Sequence, residues 1–321
     1  MLLDHLTDKV SQSYGIAGTY HLTADIDIAG QFDLFLWSCR ANNLSPRTIQ
    51  DYRFKAGRFV QFCLYTGCHS PIDVTANHVR AFLLRLQEHN CAKSVHDYYR
   101  VLKRFFNWMV EEDILQYSPM TKIKPPRVPE TIIKPFTDSH IRGILLLCDE
   151  HTRAGIRNRA IILMLLDTGI RLNELANIQL ADLDLDNETV IVMGKGNRQR
   201  MVRIGKVAQK ALLQYLLSRK DNHSCLWVTE EGKPLAKAGI SVMFRVLKHR
   251  AGFQDVRLSA HTFRHTSGTW ALLNGASERD VQLLLGHRTE RMTRHYTATI
   301  TSQQVLAKHR QFSPVDRLRL K

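Results

Sequence analysis

The sequence predicts a mainly α-helical protein with one small β-sheet, divided into two domains. Three observations lead there. Apolar residues recur at intervals of three and four along most of the chain. The pattern turns β-like only briefly, between Thr189 and Ile204. A proline-rich, basic stretch separates two helical blocks. The 321 residues are enough for two ordinary domains with buried cores.

Residues 1–27 show little periodicity and read as an N-terminal extension. Residues 28–118 form the first helical block. One helix starts at Ser45, an N-cap residue followed by Pro46 in the first turn. Ile49, Tyr52, Ala56, Phe59, Val60 and Cys63 line its apolar side, with Arg47, Gln50, Asp51, Arg58 and Gln61 opposite, and it ends near Gly67. A second spans Asn77 to His89, with Val79, Phe82, Leu83 and Leu86 inward. A third runs from about Ser94 to Glu112 on Val95, Tyr98, Leu102, Phe105 and Met109, with His96, Arg100, Lys103, Arg104 and Asn107 on its far side.

Residues 119–136 read as an extended linker, because Pro119, Pro125, Pro126, Pro129 and Pro135 preclude a regular helix. Lys122, Lys124, Arg127 and Lys134 make it basic against Glu130 alone, a composition suited to lying along a phosphate backbone. Residues 137–321 form the second domain. Helices are expected at 138–148 and 156–167, broken at Thr168-Gly169, and again at 172–178. Strands follow at Thr189–Met193 and Arg198–Ile204, joined by Gly194-Lys195-Gly196-Asn197, a hairpin signal. Further helices are expected at 207–220, 239–251, 262–274, 277–285 and about 302–310.

Lys and Arg number 45 against 30 Asp and Glu, a formal net charge of +15 that attracts a polyanion, nucleic acid first. A merely basic surface and an anionic membrane surface are the other readings. The longest apolar run, Ala160–Leu166, is too short to span a bilayer, and Asp4 stands where a signal peptide would be basic. The expectation is a soluble, cytoplasmic, nucleoid-associated protein with no membrane partner. None of the six cysteines forms a C-x-x-C pair, so reduced thiols are expected.

Five places could carry chemistry. Arg171 follows the Gly169 turn, with Glu174 one helical turn on, an arrangement that in isolation is more often a surface ion pair. Lys195 stands at a hairpin tip, where a lysine is either a solvated turn residue or one that reaches outward. His261 and Arg264 share a helix face. The H-x-x-x-H of His261 and His265 lacks the metalloprotease glutamate, and Arg264 would repel a cation, so no metal is expected. His287 follows the helix-ending Gly286, and Tyr296 comes nine residues later.

Each feature alone has an ordinary structural explanation, but their order and spacing together are specific. The chain resembles the tyrosine recombinases: phage integrases, Xer-type resolvases and their relatives. The family pattern is T-G-x-R-x-x-E, a hairpin lysine, H-x-x-R, L-G-H and a nearby tyrosine. It is matched by Thr168-Gly169-Ile170-Arg171 with Glu174, Lys195, His261 with Arg264, Leu285-Gly286-His287, and Tyr296. Phe263, where leucine is common, is a mild departure. The likeness covers residues 30–312, strongly after Thr137 and by general layout before it.

The resemblance implies a C-shaped two-domain clamp on duplex DNA, an N-terminal SAM-like core-binding domain joined to a mixed α/β catalytic domain. It implies a 3′-phosphotyrosine intermediate, strand exchange through a Holliday junction by a homotetramer on two recombination sites, and room for an accessory DNA-bending or directionality factor. The C-terminal helix would pack on a neighbouring protomer. Physically, Arg171 and Arg264 suit the non-bridging oxygens of a pentacoordinate phosphorus. A phenol with a pKa of about 10 needs help in losing its proton, which His261 can supply while His287 adds a hydrogen bond. Lys195 is the acid for the leaving oxygen, with Arg198 or Arg200 close by as alternatives, and Glu174 is a buttress. Arg47, Arg58, Arg100, Lys103, Arg104, Lys122, Lys124 and Arg127 are expected to meet DNA phosphates. No cofactor is expected: the sequence shows neither a P-loop nor the clustered carboxylates of a two-metal nuclease. A type IB topoisomerase and a DNA-binding protein that no longer cuts are the rival readings.

Overall fold

The structure, a computed structural model, describes residues 27–129, 133–194 and 199–286. Lys195, Arg198, His287, Tyr296 and the helix expected at 302–310 lie outside the described residues. The chain divides into two compact units, one up to Glu130 and the other from Thr131.

The described residues of the first unit contain the helices α1 (Ile28–Ala41), α2 (Pro46–Tyr65), α3 (Ala76–Gln87) and α4 (Ala92–Glu111). Asp27 caps α1 through Gly30 N–H at 2.7 Å, and Ser45 caps α2 through Thr48 N–H at 3.2 Å. The apolar stripe of α4 buries Val95, Leu102, Phe105 and Met109 completely. They meet an aromatic cluster in which Phe59 packs edge-on against Phe82 and Phe106, with centroids 5.2 and 5.7 Å away.

The proline-rich stretch is not extended throughout. Pro119–Lys122 is a 3-10 turn with Met120 buried in the first unit's core. Arg80 donates to the Lys122 carbonyl at 3.2 Å and Tyr99 to the Ile123 carbonyl at 3.0 Å. At the other end, Phe136 is buried in the second unit, and its N–H donates to Thr266 Oγ1 at 2.8 Å.

The second unit contains α5 (Asp138–Leu146), α6 (Arg153–Thr168), α7 (Leu172–Ala176), β1 (Leu183–Asp184), β2 (Thr189–Met193), β3 (Gln199–Arg203), α8 (Lys206–Ser218), α9 (Lys237–Ala251), α10 (Ala260–Leu273) and α11 (Glu278–Leu285). The strands form an antiparallel sheet in the order β1-β2-β3. β2 and β3 pair in the register Val190↔Val202 and Val192↔Arg200. Val190, Val192 and Val202 turn inward, while Met193 and Met201 stay exposed, as the two-residue period of a strand requires. Helix α6 is the centre of this unit: it packs against α8 and α10 and buries Ala160, Ile161, Ile162 and Leu165. The expected mainly helical fold with a small sheet is what forms. The short strand β1 was not anticipated. Among the described residues no helix is long and apolar enough to cross a membrane.

Candidate active site

The site begins where α6 stops. Thr168 turns its hydroxyl back onto the Met164 carbonyl at 2.6 Å, and Gly169 ends the helix in the left-handed conformation, φ +59°. A side chain at Gly169 would collide with Leu285 and crowd Ser267, so this position needs glycine for both conformation and space. The chain then inserts the buried Ile170 and reaches Arg171, the N-cap of α7.

Arg171 is held by its own turn. Its backbone N–H donates to Glu174 Oε2 at 2.9 Å and its Nη1 to Glu174 Oε1 at 2.8 Å. Its Nη2 lies 3.4 Å from the Gly286 carbonyl. The Arg171 side chain keeps 37% exposure, whereas that of Glu174 has 2%. Burial pushes the Glu174 carboxyl up. The hydrogen bonds from Arg200 and from the N–H and guanidinium of Arg171 outweigh it, leaving the pKa below the usual carboxylate value.

Arg264 enters from α10, whose N-cap Ser259 accepts from Thr262 N–H. It is 5% exposed. Nη1 donates to the Gly169 carbonyl at 2.6 Å and Nη2 to the Leu285 carbonyl at 2.7 Å. One guanidinium thus ties the end of α6 to the end of α11. His261 lies one turn earlier on α10 and is open to solvent. The protein around its ring, then Arg264 and Arg257, hold its pKa below that of an ordinary histidine, so the neutral imidazole is favoured. Helix α11 closes at Gly286, φ +63°, immediately before His287.

The described structure therefore brings Arg171, Glu174, His261 and Arg264 to the facing ends of α6, α10 and α11. Among the described residues no group of three His, Cys, Asp or Glu side chains could hold a metal.

Arg200, expected only as an alternative acid near Lys195, takes a different place. Its Nη1 meets Glu174 Oε1 at 2.9 Å. The available signal was strand alternation: Arg200 stands two residues before the inward Val202, so it shares the inner face.

The cations expected to meet DNA are less uniform than the sequence implies. Arg47, Arg100, Lys103, Lys122, Lys124 and Arg127 are exposed. Arg58 donates to the Tyr98 hydroxyl at 3.0 Å and lies over the Phe54 and Tyr98 rings. Arg104 forms an ion pair with Glu111 at 3.0 Å, two turns along α4. Both are engaged within the first unit.

Comparison with known proteins agrees with this geometry. Residues 135–302 match the family model described as the phage integrase family, and residues 32–116 match the phage integrase N-terminal SAM-like domain. Tyrosine recombinase XerC of Anoxybacillus flavithermus is 31% identical over 264 residues, covering 79% of this chain and 88% of the relative. Tyrosine recombinase XerD of Listeria monocytogenes is 28% identical over 280 residues, covering 84% and 94%. A lambda integrase dimer bound to a COC′ core site has a similar fold, with a TM-score of 0.71 at 15% identity over 92% of this chain and 81% of that one. The XerH site-specific recombinase bound to a palindromic difH substrate has a TM-score of 0.71 at 19% identity, covering 88% and 85%. With both units matched in order and the Arg171 and Arg264 turns in place, this chain belongs to the phage integrase family.

Proposed function

We propose that the chain is a site-specific DNA recombinase that acts on double-stranded recombination sites. One observation carries the reading: Arg171 and Arg264, distant in sequence, converge on the Gly169 and Leu285–Gly286 turns, directly before the segment that contains His287 and Tyr296. Two guanidiniums fixed by their surroundings form a preorganised clamp for charge developing on phosphate oxygens.

In this reading the Tyr296 hydroxyl attacks the scissile phosphorus. His261, kept neutral by its surroundings, accepts the phenolic proton, and Arg171 and Arg264 stabilise the pentacoordinate transition state. The 5′ oxygen leaves with a proton from Lys195, and a 3′-phosphotyrosine remains. That ester conserves the energy of the broken bond, so a 5′ hydroxyl of another strand can displace the tyrosine without ATP. Repeated on two sites, the reaction passes through a Holliday junction. The relatives' names, tyrosine recombinase and integrase, support a recombination reaction, and a tetramer on two sites fits a reaction that needs four breaks. The first unit would supply the core-site grip, and an accessory bending or directionality factor remains compatible with the scheme.

The test is a covalent adduct. Duplexes selected from a random-sequence pool by binding to the wild-type protein are synthesised with a nick at each successive phosphate. One nick position should trap a protein–DNA adduct that survives denaturation. Tyr296→Phe should abolish the adduct and leave binding nearly intact; an undiminished adduct would assign the attack to another residue.

A further inference from the structure

We propose that Arg200 is a positioning residue of this site: it holds the Glu174 carboxylate in place while Arg171 engages the phosphate. The proposal rests on the recombinase reading above. Its geometric basis is a shared oxygen. Glu174 Oε1 receives Arg171 Nη1 at 2.8 Å and Arg200 Nη1 at 2.9 Å, while Oε2 receives only the Arg171 N–H, at 2.9 Å, among the hydrogen bonds of the described residues. One cation comes from the turn that carries the proposed phosphate ligand. The other comes from a separate element, β3, in the hairpin whose connecting residues include Lys195.

The second cation has a physical purpose. Glu174 is buried, and a buried carboxylate needs a compensating charge to stay ionised. If Arg171 were its only cation, any shift of that guanidinium toward a phosphate would weaken the compensation at the moment of reaction. Arg200 keeps the carboxylate charged and in register throughout, and the ionised Glu174 in turn continues to orient the Arg171 turn.

Arg200 is poorly explained as a fold-stabilising residue. Its Nε and Nη2 are buried and have no hydrogen-bond partner among the described residues. Its stem lies directly against Gly286, where an added Cβ would sit 3.1 Å from Cδ and Nε. A side chain retained only to fill this space would be better apolar, because unmet donors on a buried cation cost stability. Among the described residues, the interaction of Arg200 that needs a cation is the one to Glu174.

Among the described residues, the charged groups facing Glu174 are few. Arg171 comes from its own turn and Arg200 from β3. Asp182, whose carboxylate accepts from Gln179 N–H at 2.8 Å, lines the same cavity of about 210 Å³ as Glu174, Asn177, Gln179 and Met193. Helix α9, which also packs on α7, buries Ile240, Met243, Phe244 and Leu247. Removing Arg200 therefore leaves Glu174 with Arg171 as its compensating cation among the described residues. The carboxyl then protonates at higher pH, and the Arg171 turn loosens as it does so.

The experiment measures adduct formation against pH on the nicked duplexes selected by the wild-type protein, with binding and thermal unfolding alongside. Arg200→Met should slow cleavage by roughly tenfold to a hundredfold, the range over which outer-shell partners of a reacting group act. It should also move the acid limb of the pH–rate profile upward, with binding changed by less than about twofold because no DNA contact is lost. Arg200→Lys should restore part of the rate. In a Glu174→Gln background, Arg200→Met should add little further loss, since the two residues act as one unit. If Arg200→Met does not fold, Arg200→Gln, which keeps a donor and loses the charge, is expected to show the same upward acid limb. Wild-type cleavage by Arg200→Met, an unmoved acid limb, or losses that add to those of Glu174→Gln would overturn the proposal alone. The absence of an adduct from the wild-type protein at every nick position would overturn the recombinase reading and this proposal with it.

Discussion

The exposed cations of α4 and the arginines of the candidate site are held differently. Along α4, Arg100 and Lys103 stand exposed on the face opposite the apolar stripe. In the second unit, Arg264 is buried on two carbonyls, and Arg171 is fixed by a carboxylate on its own turn. A solvated cation supplies charge in no fixed direction, which is sufficient for a uniform polyanion. A cation held on protein acceptors supplies charge at one place and in one orientation, as a transition state requires. The basic composition reports both kinds equally, and only their surroundings separate them.

Substitutions can break this contrast. The largest effect is expected from Arg264→Ala. Cleavage should fall by on the order of a hundredfold or more, as when one preorganised donor is lost. The fold should weaken as well, because the Gly169 and Leu285 carbonyls lose their donor at about 1–3 kcal/mol for each buried group left unmet. Adduct rates and thermal melts read the two losses, and a cleavage defect without any drop in Tm would contradict the buried tie.

Arg171→Ala should lose cleavage on a similar scale, on the order of a hundredfold. Its melting temperature should fall less, since its side chain is 37% exposed. Arg171→Lys should not recover the rate, because an ammonium cannot reproduce the two-pronged contact. Equal stability losses at the two arginines would erase the difference drawn here.

A smaller effect concerns protons. His261 has a lowered pKa, so the neutral base persists as pH falls below the usual histidine range and is lost only on passing through the lowered value. Removing the nearby positive charge in Arg257→Gln should raise that pKa and shift the acid limb of cleavage upward. A downward or absent shift would remove His261 from the rate-determining proton transfer.

The smallest effect lies in the first unit. Lys103→Gln should weaken binding to all DNA sequences alike and lower the salt slope by about one. Arg104→Gln should leave the slope nearly unchanged, because Arg104 is paired with Glu111, and should cost no more than about 0.5 kcal/mol in stability, as exposed pairs do. Titrating binding against salt for both variants would show whether the internal pair really removes Arg104 from the interface.

The sequence made the helices legible because their faces are cleanly divided. Ser45 capped α2 where its pattern began, and the Thr189–Met193 strand formed over the residues its alternation marked. The strand Leu183–Asp184 escaped because two residues carry no period, and its pairing with Val190 and Thr189 is a tertiary fact. The candidate site was legible as a motif with fixed spacing. Its support was not: Arg200 belongs to no motif, and its pairing with Glu174 arises only in the folded unit, where α7 packs on β2 and α9. Likewise, nothing local to Arg58 or Arg104 announces Tyr98 or Glu111, forty and seven residues away.

The tie made by Arg264 has a consequence for its electrical surroundings. Its two carbonyl partners stand at the C-terminal ends of α6 and α11, where each helix macrodipole presents a partial negative charge of about one half. Together these two helix ends offer roughly one negative charge to a single guanidinium. Unlike a carboxylate, peptide dipoles cannot be discharged by a proton. These two carbonyl bonds of Arg264 are therefore insulated from acid, while the bond that Arg171 makes to Glu174 depends on a group that titrates. As pH falls, Arg171 should lose its Glu174 anchor first, while the carbonyl bonds of Arg264 persist.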